Sequence, residues 1–202
     1  MQKKMFLASS NEDKIREISI LLGDIGIELK SLEDYHLKSP KESGKTFEDN
    51  ALLKARFGFR KTGLTTIADD SGFCLEALNG FPGIFSGRFA QNNGGFENAA
   101  KLIRDKLGDR SGRAFFITVV ALVQADGLGG QKEYIFDGKV DGYFCYPPRG
   151  TNGFGYCSCF MPDNFKITYG EMDSQLRMST NHRAVALGKL REFLVDGTGS
   201  EH

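Results

Sequence analysis

Four absences narrow the field before any motif is read. Net charge is absent: 26 Lys and Arg balance 26 Asp and Glu over 202 residues, so no global field draws the chain to a polyanion, and nucleic acid is not the expected partner. No apolar run approaches the roughly 20 residues of a membrane helix. The opening Met1-Gln2-Lys3-Lys4 is followed only by Met5-Phe6-Leu7-Ala8, too short for a signal-peptide core, so a cytoplasmic protein without membrane association is expected. The four cysteines (Cys74, Cys145, Cys157 and Cys159) include no Cys-x-x-Cys pair, and Cys157-x-Cys159 has no second half to complete a zinc site. They read as buried thiols of a reducing compartment. Repeats, low-complexity stretches and interdomain linkers are also missing, which leaves one domain over residues 1–202, built as one body or as two lobes sharing a sheet.

What is present alternates between strand and helix patterns. Lys4 to Ala8 reads as a short strand. Ser10 or Asn11 caps a helix with Ile15, Ile18, Leu21 and Leu22 at helical spacing up to Gly23. Thr46 and Asp49 form a capping-box pattern, opening a helix with Phe47, Ala51, Leu52 and Ala55 on its buried side. Thr65 to Ala68 leads as a strand into Asp69-Asp70, where Gly72 is expected to turn the backbone before Phe73 to Leu78 and the Pro82-Gly83 turn. Phe96 to Leu107 is helical, and Phe115 to Gln124 is the strongest strand. Glu133 to Phe136 and Lys139 to Phe144 are expected to pair antiparallel through a turn at Asp137-Gly138. Asn181 to Leu194 closes the pattern as a helix with Ala184, Leu187, Leu190 and Leu194 on one face. Strands followed by helices, then a run of strands, imply an α/β protein with a mixed sheet.

Three clusters carry chemistry. In Ala68-Asp69-Asp70-Ser71-Gly72 two adjacent carboxylates offer hard oxygen donors of the kind that Mg²⁺ shares with substrate phosphates, although an Asp-Ser-Gly segment is equally a plain turn. If strand geometry continues through the pair, the two aspartates face opposite sides. Ser9-Ser10-Asn11-Glu12-Asp13-Lys14 joins the first strand to the first helix, so free backbone N–H groups, hydroxyls and a lysine converge on a positive helix end. That is a phosphate site in kind, or an ordinary N-cap, and it lacks the glycines of a P-loop. The third cluster runs from Pro147-Pro148-Arg149-Gly150 through Asn152-Gly153-Phe154-Gly155-Tyr156 and returns at Asn181-His182-Arg183. Phe154 and Tyr156 there could offer ring faces to a flat ligand, or pack a turn into the core, and His182 with Arg183 could read a purine edge.

The order and spacing of these motifs resemble the inosine triphosphate pyrophosphatase family, which hydrolyses nonstandard purine nucleoside triphosphates such as those of inosine and xanthosine. The resemblance rests on Leu7-Ala8-Ser9-Ser10-Asn11-x-x-Lys14, Glu42-Ser43-Gly44-Lys45-Thr46-Phe47-x-x-Asn50-Ala51-x-x-Lys54-Ala55-Arg56, Ala68-Asp69-Asp70-Ser71-Gly72, and Gly80-Phe81-Pro82-Gly83-Ile84-Phe85-Ser86-Gly87-Arg88. It continues with Gly153-Phe154-Gly155-Tyr156, Glu171-Met172 and His182-Arg183.

The resemblance implies a long mixed sheet forming two lobes flanked by helices, with the nucleotide in a cleft between them, and a homodimer. It implies Asp70 as the catalytic carboxylate on Mg²⁺, with Asp69 and Glu42 helping to hold metal and water. Triphosphate would lie on Ser9, Ser10, Asn11, Lys14 and Ser71, and the base on Phe154, Gly155, Tyr156 and Cys157. Arg177, His182 and Arg183 would contact the base and adjacent phosphates. Cleavage between the α and β phosphates gives a nucleoside monophosphate and pyrophosphate from ITP, dITP or XTP.

Two departures fall at the base end. Cys157-Ser158 stands where the family has Asp-Pro, and Arg177 and Asn181 stand where it has lysine and serine. They leave room for altered base specificity, toward a pyrimidine or modified nucleotide. The remaining rival, a nucleotide binder without turnover, is disfavoured by the intact Asp69-Asp70 and Lys14.

Overall fold

A computed structural model of the chain describes residues 3–196. Along the chain run β1 (Lys3–Leu7), α1 (Glu12–Leu22), β2 (Ile27–Lys30), α2 (Phe47–Thr62), β3 (Thr66–Leu75) and α3 (Ser86–Asn92). They are followed by α4 (Phe96–Leu107), β4 (Arg113–Ala125), β5 (Gln131–Phe144), β6 (Phe160–Pro162), α5 (Ser174–Thr180) and α6 (His182–Asp196). The strands form one mixed sheet in the order β2-β1-β3-β4-β5-β6. β1 is parallel to both β2 and β3, with Met5 opposite Leu29 and Phe6 opposite Thr66. β5 and β6 are antiparallel. The fold is therefore the α/β class with a mixed sheet that the alternation of patterns implies.

By contact density the chain divides into two compact units. The first takes residues up to 70, 118–138 and from 184 onward, and the second takes 71–117 and 139–183. In the first unit, alternation along each strand sends neighbours to opposite faces, and both faces are covered. Met5, Leu7, Ile67, Val120 and Leu122 pack against Ile18 and Leu22 of α1 and Ala186, Leu187 and Leu190 of α6. Phe6, Ala8, Ala68, Val119 and Ala121 pack against Ala51 and Ala55 of α2. This double coverage explains why these strands read as unbroken apolar runs. α1 starts where Asn11 accepts the Lys14 N–H, and α2 starts at the expected Thr46–Asp49 capping box. α2 ends at Gly63, whose φ of 68° is the left-handed conformation a helix C-terminus favours.

The second unit is built around aromatic rings. Phe73, Phe116, Phe144, Tyr156, Phe160 and Tyr169 form its core with Ala99, Ala100, Ile103 and Leu107 of α4. The Arg113 fork meets both oxygens of Asp163 at 2.6 and 2.7 Å.

Two expected turns are absent. β3 runs unbroken from Thr66 through Asp69, Asp70 and Gly72 to Leu75, and Gly72 has no positive φ. β5 likewise passes straight through Asp137-Gly138. In both places neighbouring strands supply ladder partners, and cross-strand pairing outweighs the local turn preference of Asp-Gly and Ser-Gly. The reversal between β4 and β5 falls instead at residues 126–130, where the Asp126 carboxylate accepts the N–H groups of Leu128 and Gly130, both at 2.8 Å. β2, α3, α5 and β6 have no counterpart among the expected elements. On α2, Ala51 and Ala55 are buried as expected, whereas Phe47 and Leu52 are half-buried and the polar Asn50 and Lys54 take the inward positions. Of the thiols, Cys74 and Cys159 are buried and Cys145 and Cys157 half-buried, all reduced.

Candidate active site

Because β3 continues through the paired aspartates, Asp69 and Asp70 leave the strand on opposite sides, and each meets the helix covering its side. Asp69 shares its face with Ile67, which packs with α1, and its Oδ2 lies 2.8 Å from Nζ of Lys14 in the first turn of α1. Asp70 shares its face with Ala68, which packs with α2. There Asp70 Oδ2 accepts from Nδ2 of Asn50 at 3.0 Å, and its Oδ1 is 3.6 Å from Nζ of Lys54. Asn50 and Lys54, four residues apart, lie on one side of α2. The Lys54 ammonium also donates to Glu42 Oε1 at 2.8 Å. Asp69, Asp70, Asn50 and Lys54 are all buried, while Glu42 is half-buried. The first unit thus holds three carboxylates interleaved with two lysines and one carboxamide.

The electrostatics follow from that burial. Loss of water pushes the Asp70 carboxyl above its ordinary value, outweighing the opposing fields of Lys54 and Lys14 and the Asn50 hydrogen bond. For Lys54, burial alone would lower the ammonium, but the fields of Asp70, Asp69 and Glu42 and the hydrogen bond to Glu42 hold it above its usual range. All three carboxylates present hard oxygen donors suited to Mg²⁺. Among the described residues, however, no group of three or more His, Cys, Asp or Glu side chains is drawn together closely enough to hold a metal ion. The lysines stand against those oxygens instead.

Ser9 is buried between β1 and α1, and its Oγ accepts the Asn11 N–H at 3.3 Å. Asn11 Oδ1 in turn accepts the Lys14 N–H at 3.1 Å, the capping role that the sequence also allowed. Ser10 and Asn11 are exposed at the start of α1.

In the second unit a buried arginine organises the remaining residues. Arg183, 2% exposed, donates from Nη2 to Ser71 Oγ at 3.4 Å and lies 5.7 Å from the centre of the Phe154 ring. Ser71 is thereby brought to Arg183. His182 is buried and stacks on Phe116 with ring centres 4.8 Å apart and planes 11° from parallel. The loop carrying Phe154 is anchored through Asn152, whose N–H and Nδ2 donate to the carbonyls of Gly170 and Met172, both at 2.9 Å. Gly153, at φ 77°, lets this loop close in: a side-chain carbon built there would sit 2.9 Å from Cys157 Sγ and 3.2 Å from Arg177 Nε. Arg177 is half-buried, with Nε and Nη1 shielded from water and without a hydrogen-bond partner among the described residues.

One expectation needs correction. Tyr156 does not offer a ring face to a ligand. It is buried, stacked on Phe73 at 5.1 Å, flanked edge-on by Phe96, and donates its hydroxyl to the Ser86 carbonyl. Phe154 and Gly155, by contrast, are half-buried. Asn50 and Lys54, to which no role is assigned from the sequence, carry a signal there: both fall on the same helical face as Ala51 and Ala55, where a polar residue is out of place unless something buried pairs with it.

An α/β fold with a mixed sheet and a buried carboxylate–lysine cluster on the strand bearing Asp69-Asp70 defines a class of protein, and comparison with known sequences and structures gives it a family. The chain belongs to the Ham1 family, whose profile matches residues 5–193. It is 36% identical to a dITP/XTP pyrophosphatase of Mesorhizobium japonicum, over 96% of this chain and 94% of that protein. It is 38% identical to a dITP/XTP pyrophosphatase of Mannheimia succiniciproducens, over 96% and 99%. The solved structure of a HAM1 protein from Coxiella burnetii superposes with a TM-score of 0.88 at 34% identity, covering 96% of this chain and 99% of that one. A nucleoside-triphosphatase, dITP/XTP pyrophosphatase, from Mycobacterium abscessus gives 0.76 at 35% identity, covering 95% and 99%. The resemblance carried by the sequence motifs therefore holds over nearly the whole chain.

Proposed function

We propose that this protein hydrolyses the nonstandard purine nucleoside triphosphates ITP, dITP and XTP to the nucleoside monophosphate and pyrophosphate, in a Mg²⁺-dependent reaction that clears them from the nucleotide pool. The observation that carries the reading is the buried Asp70, held between Asn50 and Lys54, in a chain that matches dITP/XTP pyrophosphatases end to end. A water oxygen attacks the α phosphorus, the bond from that phosphorus to the oxygen bridging to the β phosphorus breaks, and the water proton passes to Asp70. Burial suits Asp70 to this, because a carboxylate with a raised pKa is a stronger base. Lys14 and Lys54 offset negative charge on the phosphoryl oxygens, with Ser9, Ser10, Asn11 and Ser71 as further phosphate contacts. Asp70 and Glu42, which meet on the Lys54 ammonium, would hold Mg²⁺, an ion that takes only one or two protein carboxylates beside substrate phosphates and when bound supplies further charge stabilisation there. Asp69, on the other side of β3, holds Lys14. Phe154, Gly155, Cys157, Arg177, His182 and Arg183 serve the base and the phosphates next to it, with Tyr156 fixing the loop from the core. The two units act as one domain, and the enzyme works in the cytoplasm as a homodimer.

Pyrophosphate release from a panel of nucleoside triphosphates with Mg²⁺ tests the reading. ITP, dITP and XTP are expected to outrun ATP by a factor of about ten or more, since an exocyclic amine facing His182 and Arg183 leaves donors unpaired. Equal or faster turnover of ATP overturns it.

A second reading, altered discrimination at the purine 2-position, is favoured by Arg177 Nε and Cys157 Sγ both closing on Gly153, 3.2 and 2.9 Å from where a side-chain carbon would stand there. Arginine for lysine exchanges a point charge for a planar fork, and cysteine for aspartate removes a charge. Cys157→Asp is then expected to shift the ratios of kcat/KM among ITP, XTP and GTP without changing metal dependence. Unchanged ratios contradict this second reading.

A further inference from the structure

We infer that Asn50 is a positioning residue for Asp70, setting the orientation of its carboxylate and tying it to the segment that bears Glu42. The inference rests on the reading of Asp70 as the base. Asn50 is 0% exposed, so its carboxamide must find both its partners inside the protein. Its Oδ1 accepts the backbone N–H of Gly44 at 2.8 Å and its Nδ2 donates to Asp70 Oδ2 at 3.0 Å. A backbone N–H can only donate, so the Gly44 contact fixes which end of the carboxamide is oxygen. The NH₂ end is thereby turned to Asp70 with no alternative flip.

The consequence falls on the carboxylate. An aspartate side chain has a broad, roughly two-fold terminal torsion, and nothing intrinsic selects one angle. A fixed donor on Oδ2 selects one, and so aims Oδ1 toward the side on which Lys54 stands, 3.6 Å away. Gly44 lies two residues beyond Glu42, so the same carboxamide also limits how far the Glu42 segment can move from Asp70.

Gly44 supplies a second observation. A side-chain carbon there would lie 2.7 Å from Asn50 Oδ1 and 2.5 Å from Asp49 Cβ. Only glycine lets this N–H reach the carboxamide without displacing it, although the backbone there is not in the left-handed region.

The experiment measures steady-state hydrolysis of ITP with Mg²⁺ for Asn50→Ala, Asp70→Asn and the double variant, with folding of each followed by circular-dichroism melting. Asn50→Ala is expected to lower kcat about 10- to 100-fold, the usual cost of losing a partner that orients an active carboxylate. KM should change less than about threefold, since the carboxamide touches no substrate. In the Asp70→Asn background the same change should cost little more, because the group it orients is already disabled.

A kcat within about twofold of wild type, a loss confined to KM, or an equal loss in both backgrounds overturns the inference. Should Asn50→Ala fail to fold, Gly44→Ala carries the test: it keeps the carboxamide and crowds the Gly44 N–H off its oxygen, with Asp49 Cβ crowded as well, so its melting is followed alongside its turnover. A reduced kcat at unchanged KM supports positioning, and an unchanged kcat overturns it. Near-normal turnover by Asp70→Asn overturns the base assignment and this inference with it, whereas an inactive Asp70→Asn beside a fully active Asn50→Ala overturns this inference alone.

Discussion

Asp70 sits where burial and charge pull in opposite directions. Burial favours its neutral form, while Lys54, Lys14 and the Asn50 donor favour the anion. Asp70→Asn keeps the shape and removes the base, and is expected to lower turnover of ITP by about a hundred- to ten-thousand-fold with the fold retained, measured by pyrophosphate release and circular dichroism. The thiols give a second expectation at this scale. Burial pushes Cys74 up to about 12 and Cys159 up to about 11. The reactive thiolate is therefore scarce at both sites near neutral pH. Alkylation with iodoacetamide at pH 8, followed by peptide mass spectrometry, should label Cys145 and Cys157 well before Cys74 or Cys159. Fast labelling of Cys74 would show that its burial is not maintained in solution.

Among the elements, α2 joins stability to chemistry. The side it presents to the sheet carries Ala51, Ala55 and Gly58, and at Gly58 a side-chain carbon would lie 2.6 Å from Phe6 Cδ1 and 2.7 Å from Thr66 Cγ2. Gly58→Ala gains helix propensity but overpacks this contact, and is expected to destabilise by about 1–3 kcal/mol, read from the urea midpoint. Arg56 on the same helix reaches Glu133 of β5 with Nε and Nη2 at 2.7 and 2.6 Å. Its hydrogen bonds hold the Glu133 carboxyl below the ordinary glutamate value. A depressed folded-state pKa stabilises above the unfolded value and loses that contribution as pH falls through the folded one. The stability difference between wild type and Glu133→Gln should therefore be constant above about pH 5 and shrink below about pH 4.5; for a part-exposed pair it should be no more than about 1 kcal/mol. A difference that grows on acidification contradicts the pairing.

For the whole molecule, neither compact unit is a continuous stretch. β3, β4 and β5 each contribute residues to both, and α6 begins in one and continues in the other. Cutting the chain to free one unit would sever strands of the other. A single cooperative urea transition, coincident by circular dichroism and tyrosine fluorescence, is expected, and two separated transitions would contradict the one-domain reading. The proposed homodimer is tested by light scattering, where a clean monomer at micromolar concentration overturns it. In the loop from Phe81 to Phe85, Phe85 is 51% exposed beneath Arg88 and leaves an apolar ring for a second copy, while Phe81 packs against the core of its unit.

Features that depend on short-range order can be read from the chain alone. Helix starts at Asn11 and Thr46, the span of α4, the apolar runs of β1 and β4, and the motif series leading to the family were all legible, because caps, periodicity and spacing are local properties. Tertiary structure alone decided whatever needed a partner distant in the chain. Asp-Gly and Ser-Gly segments that favour turns in isolation became straight strand in β3 and β5 once neighbours supplied ladder bonds. Tyr156 became core because Phe73 and Phe96 occupied its ring faces. Asn50 and Lys54 gained their places only when β3 brought Asp70 under α2, since a buried polar group is stable only with its partner present, and that partner lies 20 residues away from Asn50.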